Sequence, residues 1–341
     1  MAEAALILLA AGGTGGHLFP AEALGAELLK RGFRVRLVTD ARAVRYSGLF
    51  SPDMIDVVES ETVRGRSPLA LARTAALLAK GGLRAYTLIG RLKPAAVIGF
   101  GGYPTLPPLI AARLRGVPTL IHDANAVMGR ANKLLSRGVT AIATSLPGVI
   151  DHEPALAAKA TLTGTPLRPA ILAAAGVPYA APEPGGPLRL LVVGGSQGAR
   201  VMADIVPGAI ERLDPSLWPR LVLVQQVRQE DLERVRAVYD RLGINAELQP
   251  FFTDLPARLA ACHLVVSRSG AGTVAELAAI GRPSVLVPLP GAIDQDQFAN
   301  AGVLERADAA IRIVQSDFTP ERLAAEITAL AAAPQRLAAM A

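Results

Sequence analysis

The sequence predicts an α/β protein built from two doubly wound domains in tandem, and three observations predict it. Short apolar runs alternate with helix-like segments through the first half. The pattern then restarts, with "LRLLVVGGSQGAR" at 188–200 echoing the apolar run and glycine turn near residue 5. And 341 residues are more than one hydrophobic core usually supports.

In the first half, strands are expected at 3–11, 34–39, 54–58, 95–99, 118–122 and 139–144, with helices at about 20–31, 67–91, 104–115 and 129–137. Such alternation indicates a parallel sheet covered on both faces. Residues 176–187, "GVPYAAPEPGGP", are dense in Pro and Gly and read as a linker. After the strand near 188 come expected strands at 220–226, 246–250, 263–267, 284–288 and 310–314. The expected division is an N-terminal domain at 1–165 and a C-terminal domain at 166–341, with the connection at about 166–187. Ligands are expected to collect in a cleft separating the two.

Composition narrows the function classes. Hydrophobic residues are 51% and charged residues 19%, as in soluble globular proteins. Aromatics are only 4%, which argues against single-stranded nucleic-acid binding by base stacking; no nucleic-acid partner is expected. Cys262 is the only cysteine, so there is no internal disulfide, and its apolar flanks mark a buried structural thiol. "EAALILLAA" lacks a basic flank and reads as a first strand rather than a signal peptide. No apolar run approaches the length of a membrane span.

Charge is uneven. Residues 1–165 hold 19 Lys/Arg and 11 Asp/Glu, whereas 166–341 hold 16 and 18. Residues 62–122 contain no acidic residue, yet carry Arg64, Arg66, Arg73, Lys80, Arg84, Arg91, Lys93, Arg113 and Arg115. A basic face beside apolar side chains suits an anionic surface. Leu69, Leu71, Leu77, Leu78, Leu83 and Leu88 are the apolar side chains expected to add contact there.

The chemistry concentrates in glycine-rich loops after expected strands. "GGTGGH", Gly12 to His17, lets backbone N–H groups approach a ligand closely and then presents a histidine. Its spacing is neither the dinucleotide fingerprint nor a P-loop. "GFGGYPTLPP" (99–108) is a second glycine turn. "IHDANAVMGRANK" (121–133) sets His122, Asp123 and Asn125 at a strand's carboxyl end. "VGGSQGAR" (193–200) suits phosphate, with Ser196, Gly195 and Gly198. "SRSGAGTVAEL" (267–277) places Glu276 about a turn into a helix, where a carboxylate can accept from a ribose diol. "PLPGAIDQDQFANA" (288–301) adds Asp294, Asp296, Gln297 and Asn300. No metal-ligand spacing and no nucleophile elbow occurs, so no metal and no cofactor are expected.

The order of GGTGGH, GGYPTLPP, HDAN, GTPLR, GGSQGAR, SRSGAGTVAEL and DQDQFANA is similar to that of the MurG family, bacterial glycosyltransferases of peptidoglycan synthesis. The resemblance covers nearly the whole chain. It implies a GT-B fold of two Rossmann-like domains and a peripheral position on the cytoplasmic face of the inner membrane. The implied reaction moves GlcNAc from UDP-GlcNAc to the 4-hydroxyl of the muramyl sugar of lipid I, giving lipid II with inversion. The implied partners are UDP-GlcNAc, lipid I, the anionic membrane surface, and other cell-wall synthesis or division proteins.

Carried over by position, Ser196, Gln197 and Arg168 lie by the donor diphosphate, and Arg268, Gly270 and Thr273 form the uridine and phosphate turn. Glu276 would hold the ribose, and Asp296 with Gln297 the GlcNAc hydroxyls. Thr14, His17, Gly102, Tyr103 and Asn125 present the acceptor side, with Thr14, Gly15, Gly16 and Asn125 also counted as donor contacts. His17 is the candidate base and Asp123 the weaker rival. The chain departs from the family at Asp123-Ala124, where Glu-Gln is usual, at Thr165 in place of Asn, and at Asp296 in place of Gln. It stops at "QRLAAMA", before the helix that typically crosses back to the first domain. The alternatives are a GT-B transferase acting on another lipid or aglycone, a nucleotide-sugar epimerase, and a nucleotide-sugar-binding protein without turnover.

Overall fold

Strand β1 (Leu6–Ala10) is buried along its whole length, and its side chains alternate between two layers. Leu8 and Ala10 enter one cluster with Ala85, Ile89, Leu109 and Leu135. Ile7 and Leu9 enter the other with Leu18, Ala21 and Phe100. A strand buried on both faces needs helices on both faces, which is the parallel α/β arrangement. The computed structural model describes residues 4–12, 15–40, 48–58, 68–195, 198–292 and 295–341, with 68–79 in backbone only.

The chain divides into two compact units, Met1–Arg168 and Pro169–Ala341. The first contains β1, β2 (Arg34–Thr39), β3 (Ile55–Val57), β4 (Ala96–Gly99), β5 (Thr119–Asp123), β6 (Ala141–Thr144) and β7 (Ala160–Leu162). All pairings are parallel, in the order β3-β2-β1-β4-β5-β6-β7. Helices α1 (Gly15–Lys30), α2 (Pro68–Leu92), α3 (Leu106–Leu114), α4 (Arg130–Ser136) and α5 (Pro154–Ala157) accompany them.

The second unit opens with α6 (Pro169–Ala175). Its strands are β8 (Leu188–Val193), β9 (Leu221–Gln226), β10 (Ala246–Gln249), β11 (Leu264–Ser267), β12 (Ser284–Leu286) and β13 (Ala310–Arg312), parallel in the order β10-β9-β8-β11-β12-β13. Between and after them run α7 (Arg200–Glu211), α8 (Leu232–Arg241), α9 (Leu255–Ala261), α10 (Ala271–Ile280), α11 (Asp296–Arg306), α12 (Pro320–Ala331) and α13 (Pro334–Met340).

Two expectations need correction. The short strand β7 was not anticipated: it lies at the sheet edge, three residues long and mostly exposed, so it carries no apolar period. Helix α1 begins at Gly15, not near residue 20, and Pro20 lies inside it. Proline removes only the N–H that would meet the Gly16 carbonyl, and Gly16 is exposed, so water can serve that oxygen.

The Pro/Gly-rich stretch 176–187 is fastened to the second unit. Tyr179 Oη donates to the His263 carbonyl at 3.1 Å. The buried Arg282 guanidinium donates to Val177 at 3.2 Å and also to Leu259, Ala260, Ile280 and Gly281 carbonyls. One cation thus closes the C-termini of both α9 and α10. Cys262 is buried, its thiol donating to the Leu259 carbonyl, and burial pushes it up to about 12. Among the described residues, no helix is long and apolar enough to cross a membrane.

Candidate active site

In each sheet the strand order reverses once, between β1 and β4 and between β8 and β11. Loops leaving the carboxyl ends of strands at such a reversal diverge and leave room for a ligand.

In the first unit, His17 is the third residue of α1 and sits at this point. Its ring rests on glycine backbone from both flanking loops. A methyl on Gly12 would lie 3.3 Å from Nδ1, and one on Gly101 would lie 3.2 Å from Nε2 and Cδ2. Gly101 and Gly102 have φ of +91° and +80°, a region that favours glycine, and the Gly12 N–H donates to the Gly101 carbonyl at 3.1 Å. So these glycines are needed where the imidazole seats. Burial pulls the His17 pKa below its ordinary value, and the Asp123 carboxylate pulls it back up. The ring is therefore unprotonated at neutral pH and can take a proton.

Asp123, buried at the end of β5, organises the loop beyond it. Its Oδ1 accepts from the Asn125 N–H at 3.1 Å, and its Oδ2 accepts from the Gly129 N–H and Asn132 Nδ2, both at 2.9 Å. A carboxylate so occupied supports His17 by charge and is a poor base itself. Asn125 is half-buried at the rim of that loop, while Gly102 and Tyr103 open a short 3-10 turn, with Thr105 Oγ1 donating to the Gly102 carbonyl at 2.8 Å.

His122 turns inward. Its Nε2 lies 3.1 Å from the Gly164 carbonyl and 3.0 Å from Ser145 Oγ, and Thr165 Oγ1 donates to that serine at 2.8 Å. A carbonyl only accepts, so Nε2 carries the proton. Thr165 thus fixes the turn leading to Arg168. The Arg168 guanidinium lies over the Phe19 ring, 4.1 Å from its centroid. Glu22, buried on the same helix, accepts from the Leu49 N–H at 3.4 Å. Burial raises its pKa, and the Leu49 and Gly48 N–H groups, then Arg168, oppose that rise. Neither Phe19 nor Glu22 stands out in the sequence, because the contact that matters spans about 150 residues.

In the second unit, the loop after β8 could not be built without glycine: a methyl on Gly194 would lie 2.1 Å from the Ala199 amide nitrogen. Gly195 has φ of +85° and open space where a side chain would project, which suits close approach of a phosphate. Gln226 and Arg228, which sequence reasoning missed, hold this loop. Gln226 Oε1 accepts from the Gly194 N–H at 2.9 Å, and Arg228 donates twice to the Gly198 carbonyl.

Arg268 turns its guanidinium into the protein, donating to Val287 and Pro288 carbonyls at 3.0 Å and to Gln315 Oε1 at 2.6 Å. It shapes the turn rather than facing out of it. Gly270 is the N-cap of α10, which carries Thr273 and Glu276, both half-buried. The fully buried Ser269 and Asn300 join this turn to α11: Ser269 Oγ donates to the Gln297 carbonyl at 2.8 Å, and Asn300 Nδ2 to the Ser269 carbonyl at 3.2 Å. Asp296 Oδ1 accepts from the Gln297 N–H at 2.7 Å, and Gln297 Oε1 from the Leu289 N–H at 3.0 Å. The second sheet thus brings Gly270, Thr273 and Glu276 at the start of α10 beside Asp296 and Gln297 at the start of α11. The first does the same for Gly15, Gly16, His17, Gly102, Tyr103, Asp123 and Asn125. Thr14, Ser196, Gln197 and Asp294 lie outside the described residues. Among the described residues, no group of three His, Cys, Asp or Glu could hold a metal ion.

Residues 7–144 match the family described as Glycosyltransferase family 28 N-terminal domain, and residues 189–341 match Glycosyltransferase family 28 C-terminal domain. A protein of Bradyrhizobium sp. (strain BTAi1) is 81% identical over 99% of this chain and 92% of its own length. One of Rhodopseudomonas palustris (strain BisA53) is 80% identical over 100% of this chain and 91% of its own. Both are named UDP-N-acetylglucosamine--N-acetylmuramyl-(pentapeptide) pyrophosphoryl-undecaprenol N-acetylglucosamine transferase. A crystal structure of Acinetobacter baumannii MurG is similar at 31% identity and a TM-score of 0.78, covering 98% of this chain and 92% of that one.

Proposed function

Since the chain belongs to glycosyltransferase family 28 on both of its halves, we propose that it transfers N-acetylglucosamine from UDP-GlcNAc to the 4-hydroxyl of the MurNAc sugar of lipid I, giving lipid II. The observation that carries the chemical step is His17: an imidazole held on a glycine cradle at the strand-order reversal of the first unit, where burial lowers its pKa.

The reaction is an in-line displacement with inversion. His17 takes the proton from the acceptor hydroxyl as the oxygen forms its bond to the anomeric carbon and the bond to UDP breaks. Asp123 favours the imidazolium that results. The open backbone at Gly195 and the N-terminus of α7 suit the charge developing on the diphosphate, a role in which the family pattern also counts Arg168. Glu276 accepts from the ribose hydroxyls, and Asp296 and Gln297 from and to the sugar. The residue-level roles are supported by the family pattern and, within each unit separately, by the grouping of these residues near the reversal of strand order.

The acceptor is lipid-linked, and the first unit offers a surface suited to it. Lys80, Arg84 and Arg91 of α2 and Arg113 of α3 are exposed. Leu83 of α2, Leu114 of α3 and Leu134 of α4 are 70%, 72% and 71% exposed. Leu88, expected on this face, instead packs in the core, and Arg64, Arg66 and the side chains of Leu69, Leu71, Arg73, Leu77 and Leu78 lie outside the described residues. Exposed leucines and exposed cations on the helices of one unit suit peripheral binding to an anionic leaflet, and this supports a position on the cytoplasmic face of the inner membrane.

The test is incubation of the purified chain with lipid I and UDP-GlcNAc labelled in the sugar. Label in a lipid-linked disaccharide supports the proposal. Label that reaches only water, or that never leaves the nucleotide, overturns it.

A further inference from the structure

Arg168 ends the first unit, and the structure fixes it from two sides. The turn before it is fastened by His122 at the Gly164 carbonyl and by Ser145 at the Thr165 hydroxyl. The guanidinium lies over the Phe19 ring, its Cζ 4.1 Å from the ring centroid.

Phe19 also touches the glycine loop. A methyl on Gly15 would lie 3.0 Å from its Cε2 and 3.2 Å from its Cζ, so the ring occupies the space that glycine leaves. One aromatic side chain therefore packs against the first residue of α1 and carries Arg168. Stacking engages the face of a guanidinium, and the in-plane N–H fork is the part that pairs with phosphate oxygens. An arginine held this way loses little rotamer freedom on meeting a diphosphate.

We propose that Phe19 is a positioning residue for Arg168, its ring being the platform that presents the guanidinium to a substrate diphosphate. This rests on the reading of Arg168 as a diphosphate contact. Both substrates carry a diphosphate, and the donor's is the one expected.

The experiment measures KM for UDP-GlcNAc and for lipid I separately, with kcat, in Phe19→Leu, Phe19→Tyr, Arg168→Met and the Phe19→Leu/Arg168→Met double variant. Melting temperatures confirm that each variant is folded. Phe19→Leu is expected to raise KM for UDP-GlcNAc about 3- to 10-fold, the range of one partly desolvated cation–π contact. Phe19→Tyr keeps the platform and is expected to match the wild type. The double variant is expected to be no worse than Arg168→Met alone, because Phe19 acts through Arg168. A folded Phe19→Leu variant with unchanged KM for both substrates overturns the proposal, as does full additivity in the double variant. If Arg168→Met itself moves neither KM, the reading of Arg168 fails instead. If both single variants raise KM for lipid I alone, Phe19 still positions Arg168, but for the acceptor diphosphate.

Discussion

His17 and Gly101 come from segments more than 80 residues apart and meet so closely that a methyl group on Gly101 would lie 3.2 Å from the imidazole Nε2. The glycine also holds φ of +91°, which an L side chain adopts only with strain. Gly101→Ala is therefore expected to displace the imidazole and lower turnover about 10- to 100-fold, as small misplacements of a reacting group do. UDP affinity, measured by calorimetry, is expected to stay within about twofold if the second unit is untouched. Unchanged turnover would show that the seat of the ring does not matter.

Asp123 raises the His17 pKa against burial. The acid limb of the kcat/KM profile should lie below the ordinary histidine value of about 6.5, because the base must be unprotonated. Removing the charge in Asp123→Asn takes away the raising influence, so the limb moves to still lower pH. Turnover should fall as well, since an amide cannot accept from Asn125, Gly129 and Asn132 together. A limb that moved to higher pH would contradict this electrostatic assignment.

Arg282 closes two helices and fastens the segment at Val177 with a single buried guanidinium. Arg282→Met leaves these carbonyls without their donor and should cost about 3–5 kcal/mol in chemical denaturation. Arg282→Lys should recover only part of that, since an ammonium cannot reproduce the planar fork. A loss below about 1 kcal/mol for Arg282→Met would mean that water replaces the guanidinium there.

Much of the fold was legible because parallel strands buried on both faces read as short apolar runs, as β1 and β8 do. The glycine loops were legible too, because a reversal point needs backbone without side chains. What the sequence could not show was non-local. GGTGGH announces a histidine, but nothing in it says that GFGG will form the seat. His122, Asp123 and Arg268 look equally polar in the sequence. The structure turns His122 to Gly164, commits Asp123 to its own loop, and commits Arg268 to three carbonyl oxygens. Gln226 and Arg228 went unnoticed because their partners, Gly194 and Gly198, lie on a neighbouring strand's loop.

The exposed cations and leucines of α2 and α3 should bind phosphatidylglycerol vesicles in a salt-sensitive way. With each basic residue worth about 1 kcal/mol near such a surface, the triple variant Lys80→Glu, Arg84→Glu, Arg113→Glu should abolish co-sedimentation at moderate salt. Binding that is equal for variant and wild type, or indifferent to lipid charge, would remove this face from membrane docking.

The most direct test of the central claim is the product formed from UDP-GlcNAc and purified lipid I by the wild type and by His17→Ala. The account predicts a β-linked GlcNAc on the MurNAc 4-hydroxyl, the inverted configuration from the α-linked donor. It predicts turnover lower by about 10²–10⁴-fold in His17→Ala, the range for losing a general base, with UDP binding retained. No lipid II from the wild type would contradict the assigned reaction, and near wild-type turnover in His17→Ala would contradict the assigned base.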